Sequence, residues 1–249
     1  MPFYMPDGRL HYYAHVPKCA GISVEAHLER RFGALGFRDD DHNRRWPERA
    51  RWSRSSPQHI LWDDLVRLVP EDWIASVFTV VRHPVSRLVS AFNFQATKMR
   101  IIPPGLTIDD WFEDYLSLLE SYPFDHDNHL VPQSAFAPAS AAFFRLEDGL
   151  AAVSAWLDER FGADGGEGIG HMNESAPDEA RFFEEKGVSA ALAARVAEVY
   201  AEDFERYGYA PAPAKAPLVR RPVSAPGAFR LKRRRAQKRL RHRFRSLLS

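Results

Sequence analysis

Two stretches of the chain share one pattern, and it constrains the fold more than any other feature. Each has a short apolar run of β-formers, a tight loop carrying a cation, and then apolar residues at helical spacing. In the first, LHYYAHV (10–16) ends at Pro17 and leads through Lys18 into a helix expected from Ser23 to about Phe32. In the second, VFTVV (77–81) leads through Arg82 and His83 into a helix from Val85 to Phe94, with Pro84 suited to its first turn. An apolar run without alternation, such as VFTVV, is the pattern of a strand covered on both faces. Helices expected over 107–120, 147–160 and 189–206, and a strand over 141–145, continue the alternation. The expectation is an α/β, P-loop-like three-layer fold with a central, mainly parallel sheet flanked by helices.

The domain should end near Tyr209, because Pro211, Pro213, Pro217, Pro222 and Pro226 follow with no core pattern. This divides the chain into a domain (1–210), a Pro-rich linker (211–228) and a basic tail (229–249). Charge follows the same division. The last acidic residue is Glu205 and 13 of the 34 Lys and Arg lie in 211–249, so 21 cations face 33 acids in the body, a net −12. Any positive anion site there must be built locally. An acidic body without an aromatic RNA-binding pattern gives no reason to expect a specific nucleic-acid partner. In the tail, Leu240, Phe244, Leu247 and Leu248 fall at helical spacing among cations, which fits either a contact with an anionic membrane surface or a solvated tail. No apolar run reaches a membrane span of about 18 residues, and the start MPFYMPDGRLHYY lacks a signal-peptide pattern. A cytoplasmic protein is expected, with the tail free to meet the inner membrane face. Cys19 is the only cysteine, which excludes an intramolecular disulfide, and there is no Cys/His zinc pattern. No metal is expected.

The first loop lies in HVPKCAGIS (15–23), and its site residues are Pro17, Lys18, Cys19, Ala20, Gly21, Ile22 and Ser23. A strand that turns straight into a helix aims backbone N–H groups and the positive helix end at one point, and glycine permits close approach there. Lys18 adds a full charge. A nucleotide triphosphatase would carry GxxxxGK followed by Ser or Thr, whereas here one glycine follows the lysine. In FTVVRHPVSRLVSAF (78–92), Arg82 ends the second strand and Ser90 lies on the following helix. A guanidinium fork and a serine hydroxyl can together hold one dianion. Arg87 is three residues from Ser90 and either adds to that grip or is a salt-bridged or solvated arginine.

The first loop resembles the 5′-phosphosulfate loop of sulfotransferases that use 3′-phosphoadenosine 5′-phosphosulfate (PAPS), commonly HIPKTAGTS in their carbohydrate-type and bacterial members. The second stretch resembles their 3′-phosphate motif. Cys19 and Ile22 stand where threonines are common, so a weaker donor and a lost hydroxyl are expected in the grip. FFRLEDGLAAVSAWL (143–157) is similar to the family's Arg-x-Glu segment, HMNES (171–175) to its late Asn-x-Ser loop, and VAEVYAEDFERYGY (196–209) to its closing helix with Asp203 and Gly208. The resemblance covers most of residues 10–209. It implies PAPS as sulfuryl donor and a hydroxyl or amine acceptor, with a carbohydrate or glycolipid as the favoured class.

Sulfuryl transfer needs a proton acceptor and positive charge at the leaving oxygen. Lys18 fits the second role. For the base, histidine is the natural type, since its reference pKa lies near 6.5. His59, in QHILWDDL, lies between the two phosphate motifs, where the resembled enzymes carry a catalytic histidine or glutamate. His126 and His129, in DHDNHLVPQ (125–133), are the alternatives, and that segment resembles the HLxPQ stretch of some carbohydrate sulfotransferases. His15 ends a strand and reads as structural, and Glu25 reads as an exposed residue of the first helical turn. Two other functions stay open at this point: a P-loop kinase or nucleotidase, and a noncatalytic polyanion binder using the tail.

Overall fold

A computed structural model of the chain describes residues 2–45, 50–51, 53, 55–103, 105–119, 125–163, 166, 168–170 and 188–211. The segment 171–175, nearly all of the linker, the whole basic tail and the side chain of His126 lie outside the described residues. Four strands form one sheet in the order β1 (Phe3–Tyr4), β2 (Leu10–Ala14), β3 (Ile74–Val81) and β4 (Ala142–Arg145). β2 runs parallel to β3, with Tyr12 opposite Val77, and β3 parallel to β4, with Val81 opposite Arg145. The sequence pattern missed β1, a two-residue antiparallel edge in which Phe3 faces Tyr12.

β3 is buried from Phe78 to Val81, which explains its unbroken apolar run. Thr79 Oγ1 donates to the Ala14 carbonyl at 2.8 Å, tying the ends of β2 and β3 together. The two loops that follow therefore leave from the same edge of the sheet, where ligands of open parallel sheets bind.

Helix α1 spans Gly21–Phe32, beginning two residues earlier than expected, and buries Val24 and Leu28 at helical spacing. Arg31 donates to Asp158 at 2.6 Å, joining α1 to α6 (Ala151–Phe161). The single-turn helices α2 (His42–Arg45) and α3 (Trp62–Leu65) carry no sequence periodicity. α4 covers Pro84–Thr97, with Pro84 in its first turn as expected and the His83 side chain accepting from the Val85 N–H. α5 covers Ile108–Leu119. The expected helix over 147–160 opens instead as a 3₁₀ turn, Leu146–Asp148, before α6. The helix expected over 189–206 divides into α7 (Ala190–Val199) and α8 (Ala201–Tyr207). The break is at Tyr200, which leaves helical geometry and donates its hydroxyl to the Leu130 carbonyl at 2.7 Å.

Two apolar clusters hold the domain together. One joins the sheet to α1, α3 and α6, and the other joins α4, α5, α7 and α8 around Phe92, Phe112 and Leu192. Among the described residues no helix is long and apolar enough to cross a membrane.

Candidate functional site

Lys18 and Ala20 adopt left-handed backbone conformations, φ 71° and 61°, which side-chain-bearing residues rarely take. They turn the chain sharply into α1. The first helical bonds run from the N–H groups of Ser23 and Val24 to the Ala20 carbonyl, at 3.0 and 3.2 Å, so the N–H groups of Gly21 and Ile22 precede them. Gly21 itself has an ordinary φ, and its need for glycine is spatial. A Cβ there would sit 1.8 Å from Nε2 of His15, so the close approach comes from an imidazole behind the loop. Ile22 is exposed and Ser23 is buried.

Cys19 does not occupy the side of the loop where a phosphate-binding hydroxyl was expected. Its side chain is fully buried, and Sγ–H donates to Gln133 Oε1 at 3.4 Å. Burial pushes the thiol up to about 12, against the pull of Arg87 and Arg82, so it stays protonated and serves as a structural donor.

Lys18 places Nζ 4.0 Å from the centre of the Phe94 ring. Burial, followed by the charge of Arg82, pulls its pKa down to about 8. Among the described residues neither Lys18 nor Arg82 has a carboxylate within ion-pair range. Ser90 is half-buried on α4. Arg87 is not solvated, and among the described residues it has no ion pair. It is buried, with Nε donating to the Pro17 carbonyl at 3.0 Å and Nη1 to the Val131 carbonyl at 2.7 Å. Nη2 has no hydrogen-bond partner among the described residues.

His59 closes the 3₁₀ turn Pro57–His59. Its Nδ1–H is shared between Asp127 Oδ2 at 2.8 Å and Ser56 Oγ at 3.0 Å. Asp127 also accepts from the Ser56 N–H at 2.6 Å and hydroxyl at 2.8 Å, while Asn128 Nδ2 donates to the His59 carbonyl at 2.8 Å. Burial alone would raise the Asp127 carboxyl, but His59, His129 and the Ser56 N–H outweigh it and hold the group well below the usual carboxylate range. An ionised Asp127 fixes the proton of neutral His59 on Nδ1 and leaves Nε2 as the basic nitrogen.

The His15 ring meets His59 edge-on at 4.8 Å, and the His129 ring lies 5.3 Å from His59. His15 thus belongs to the cluster. Glu25, read from the sequence as exposed, is 1% exposed and accepts from His15 Nδ1 at 2.5 Å, with Arg38 at 3.5 Å. Burial pulls the His15 pKa below the ordinary histidine value, against the opposing pull of Glu25. It also works against ionisation of Glu25, but His15 and Arg38 prevail and hold that carboxyl low. His59, Asp127 and His129 bring one donor atom each within 4.8 Å of one another. Because Asp127 Oδ2 already accepts from both His59 and Ser56, we read this as a hydrogen-bonded cluster.

A family model described as "Sulfotransferase family" matches residues 3–210. The chain belongs to the sulfotransferase family. No curated protein and no solved structure matches it. The matched span of this sulfotransferase contains both cation-bearing loops, the histidine cluster and α8, and its general chemistry is sulfuryl transfer.

Two residues of the candidate site escaped the sequence reading. Asp127 sits in the segment singled out for its histidines, and Gln133 ends the HLVPQ stretch. Gln133 Oε1 accepts from the Arg82 N–H at 2.9 Å and its Nε2 donates to the Arg82 carbonyl at 2.8 Å. Glu147, in the Arg-x-Glu segment, accepts from the His83 N–H at 2.8 Å and so steadies the same loop. Two cavities, about 500 and 380 Å³, lie elsewhere, around Phe143 and Tyr207 and around Trp62 and Trp156.

Proposed function

We propose that this protein transfers the sulfuryl group of PAPS to a hydroxyl acceptor. The observation that carries the reading is the convergence of Lys18 and Arg82, on separate loops at one sheet edge, with no carboxylate partner among the described residues. Two cations near enough to lower a lysine's pKa stabilise an anion between them better than they tolerate each other. A nucleotide with phosphates on both sides of its ribose matches two separate grips, and a triphosphate does not need them. The first loop, from Pro17 to Ser23, would hold the 5′ side through the Gly21 and Ile22 N–H groups and Lys18. Arg82 and Ser90 would hold the 3′-phosphate.

The chemistry follows from the residues. His59 Nε2 takes the proton of the acceptor hydroxyl as that oxygen bonds to sulfur. The bond from sulfur to the bridging oxygen breaks, its electron pair stays on that oxygen, and the Lys18 ammonium stabilises the charge. The products are a sulfate ester and 3′-phosphoadenosine 5′-phosphate (PAP), with the proton on His59. Asp127 orients His59 and stabilises the imidazolium, the arrangement of a histidine-carboxylate dyad. A carbohydrate acceptor is supported by the resemblance to the carbohydrate branch.

Calorimetric titration tests the donor site. PAP should bind at least about tenfold more tightly than ADP or Mg-ATP, because only PAP fills both grips. Equal or tighter binding of Mg-ATP would favour the kinase alternative.

A further inference from the structure

We propose that Gln133 is a positioning residue that fixes the distance between the two phosphate grips, so that a nucleotide engages both at once. The inference rests on the PAPS reading above. Gln133 is completely buried and uses both ends of its amide on these loops. Oε1 accepts from Arg82 N–H at 2.9 Å and from Cys19 Sγ–H at 3.4 Å, while Nε2 donates to the Arg82 carbonyl at 2.8 Å. One side chain therefore touches the 5′ loop through Cys19 and brackets the backbone of the residue assigned to the 3′-phosphate.

Gln133 is itself held in place. Its N–H donates to Asp203 Oδ2 at 2.8 Å, and the next N–H, of Ser134, donates to Asp203 Oδ1 at 2.8 Å. The carboxylate of α8 thus caps the 3₁₀ turn Gln133–Phe136. Arg87 adds a second tie two residues earlier, bridging the Pro17 and Val131 carbonyls. The strap from Asp127 to Ser134 consequently reaches the base, the 5′ loop and the 3′ loop through hydrogen bonds.

A buried, satisfied amide could serve stability only, and a ratio of affinities separates the two roles. If Gln133 sets the spacing of the grips, its loss weakens a ligand that spans both and spares ligands that use one. The test compares Gln133→Met with the parent for PAP, adenosine 5′-phosphate and adenosine 3′-phosphate by calorimetry, with thermal melts to verify folding. PAP should weaken by roughly 5- to 150-fold, the usual size of a coupling between sites, and each monophosphate by less than about threefold. If Gln133→Met does not fold, Gln133→Asn, which keeps an amide but falls one methylene short, is measured in the same way with the same expectation. Equal weakening of all three nucleotides, or unchanged PAP binding, would overturn the role of Gln133 while the parent still prefers PAP. A parent that binds PAP no better than adenosine 5′-phosphate would overturn the donor reading and this coupling together.

Discussion

Raising the pH from 7 to 9 should weaken PAP binding through Lys18. Its pKa is about 8 instead of 10.5, because burial and then the Arg82 charge disfavour the ammonium. That depression corresponds to about 3 kcal/mol of unfavourable free energy for the charged Lys18. An anion seated against Lys18 reverses it, so binding takes up a proton wherever the free protein has lost one. If the bound state restores the ordinary pKa, the Lys18 contribution to affinity is flat below pH 7 and falls about tenfold between pH 7 and 9. At pH 8 complex formation should absorb about half a proton, read from calorimetry in buffers of different ionisation enthalpy. The folded-state linkage has the opposite sign. The unfolded chain holds more protons between pH 8 and 10.5, so without ligand the Lys18 contribution to stability rises with pH over that window. Lys18→Ala should bind PAP more weakly with no dependence between pH 7 and 9. A parent whose PAP affinity is constant over that range, or a variant that keeps the slope, would refute the placement of Lys18 against the donor's anion.

His59→Ala should lower turnover by roughly 10²- to 10⁴-fold with nearly unchanged PAP affinity, measured by steady-state kinetics and calorimetry. Asp127→Asn should also reduce turnover and leave KM for the donor close to parental, since the carboxylate acts through His59. Gly21→Ala should destabilise the fold by about 1–3 kcal/mol and abolish PAP binding, because the new Cβ would overlap a His15 ring pinned by Glu25. A thermal melt and a PAP titration check both effects. Deletion after Ala210 should spare transfer to a soluble acceptor but abolish sedimentation with anionic vesicles, as the removed segment holds 13 Lys and Arg and no acid.

What the sequence revealed was local. The β2-loop-α1 and β3-loop-α4 units are visible because each needs only a neighbouring run of apolar residues and a turn, and Pro84 marks its own helix start. What it concealed depends on contacts across the chain. Asp127 finds His59 from 68 residues away, and Gln133 finds Cys19 from 114, separations at which no periodicity operates. Glu25 was misread for the same reason. The helix dipole accounts for an acid in a first turn, but only the fold brings His15 and Arg38 to it and makes burial tolerable. Arg87 looks like a surface arginine in one dimension and is a buried tie between two carbonyls in three. The division of α7 from α8 follows from the Tyr200 hydroxyl reaching Leu130, a contact that apolar spacing does not encode.

The most direct test of the central claim is transfer of labelled sulfate from PAPS by the purified full-length chain, across a panel of hydroxyl-bearing carbohydrates and small molecules, with PAP release followed in parallel. The account predicts acceptor-dependent label transfer with one PAP released per sulfate ester formed, and near-complete loss of both in Lys18→Ala. A folded parent protein that neither binds PAP nor moves label to any acceptor, or a Lys18→Ala variant as active as the parent, would contradict it.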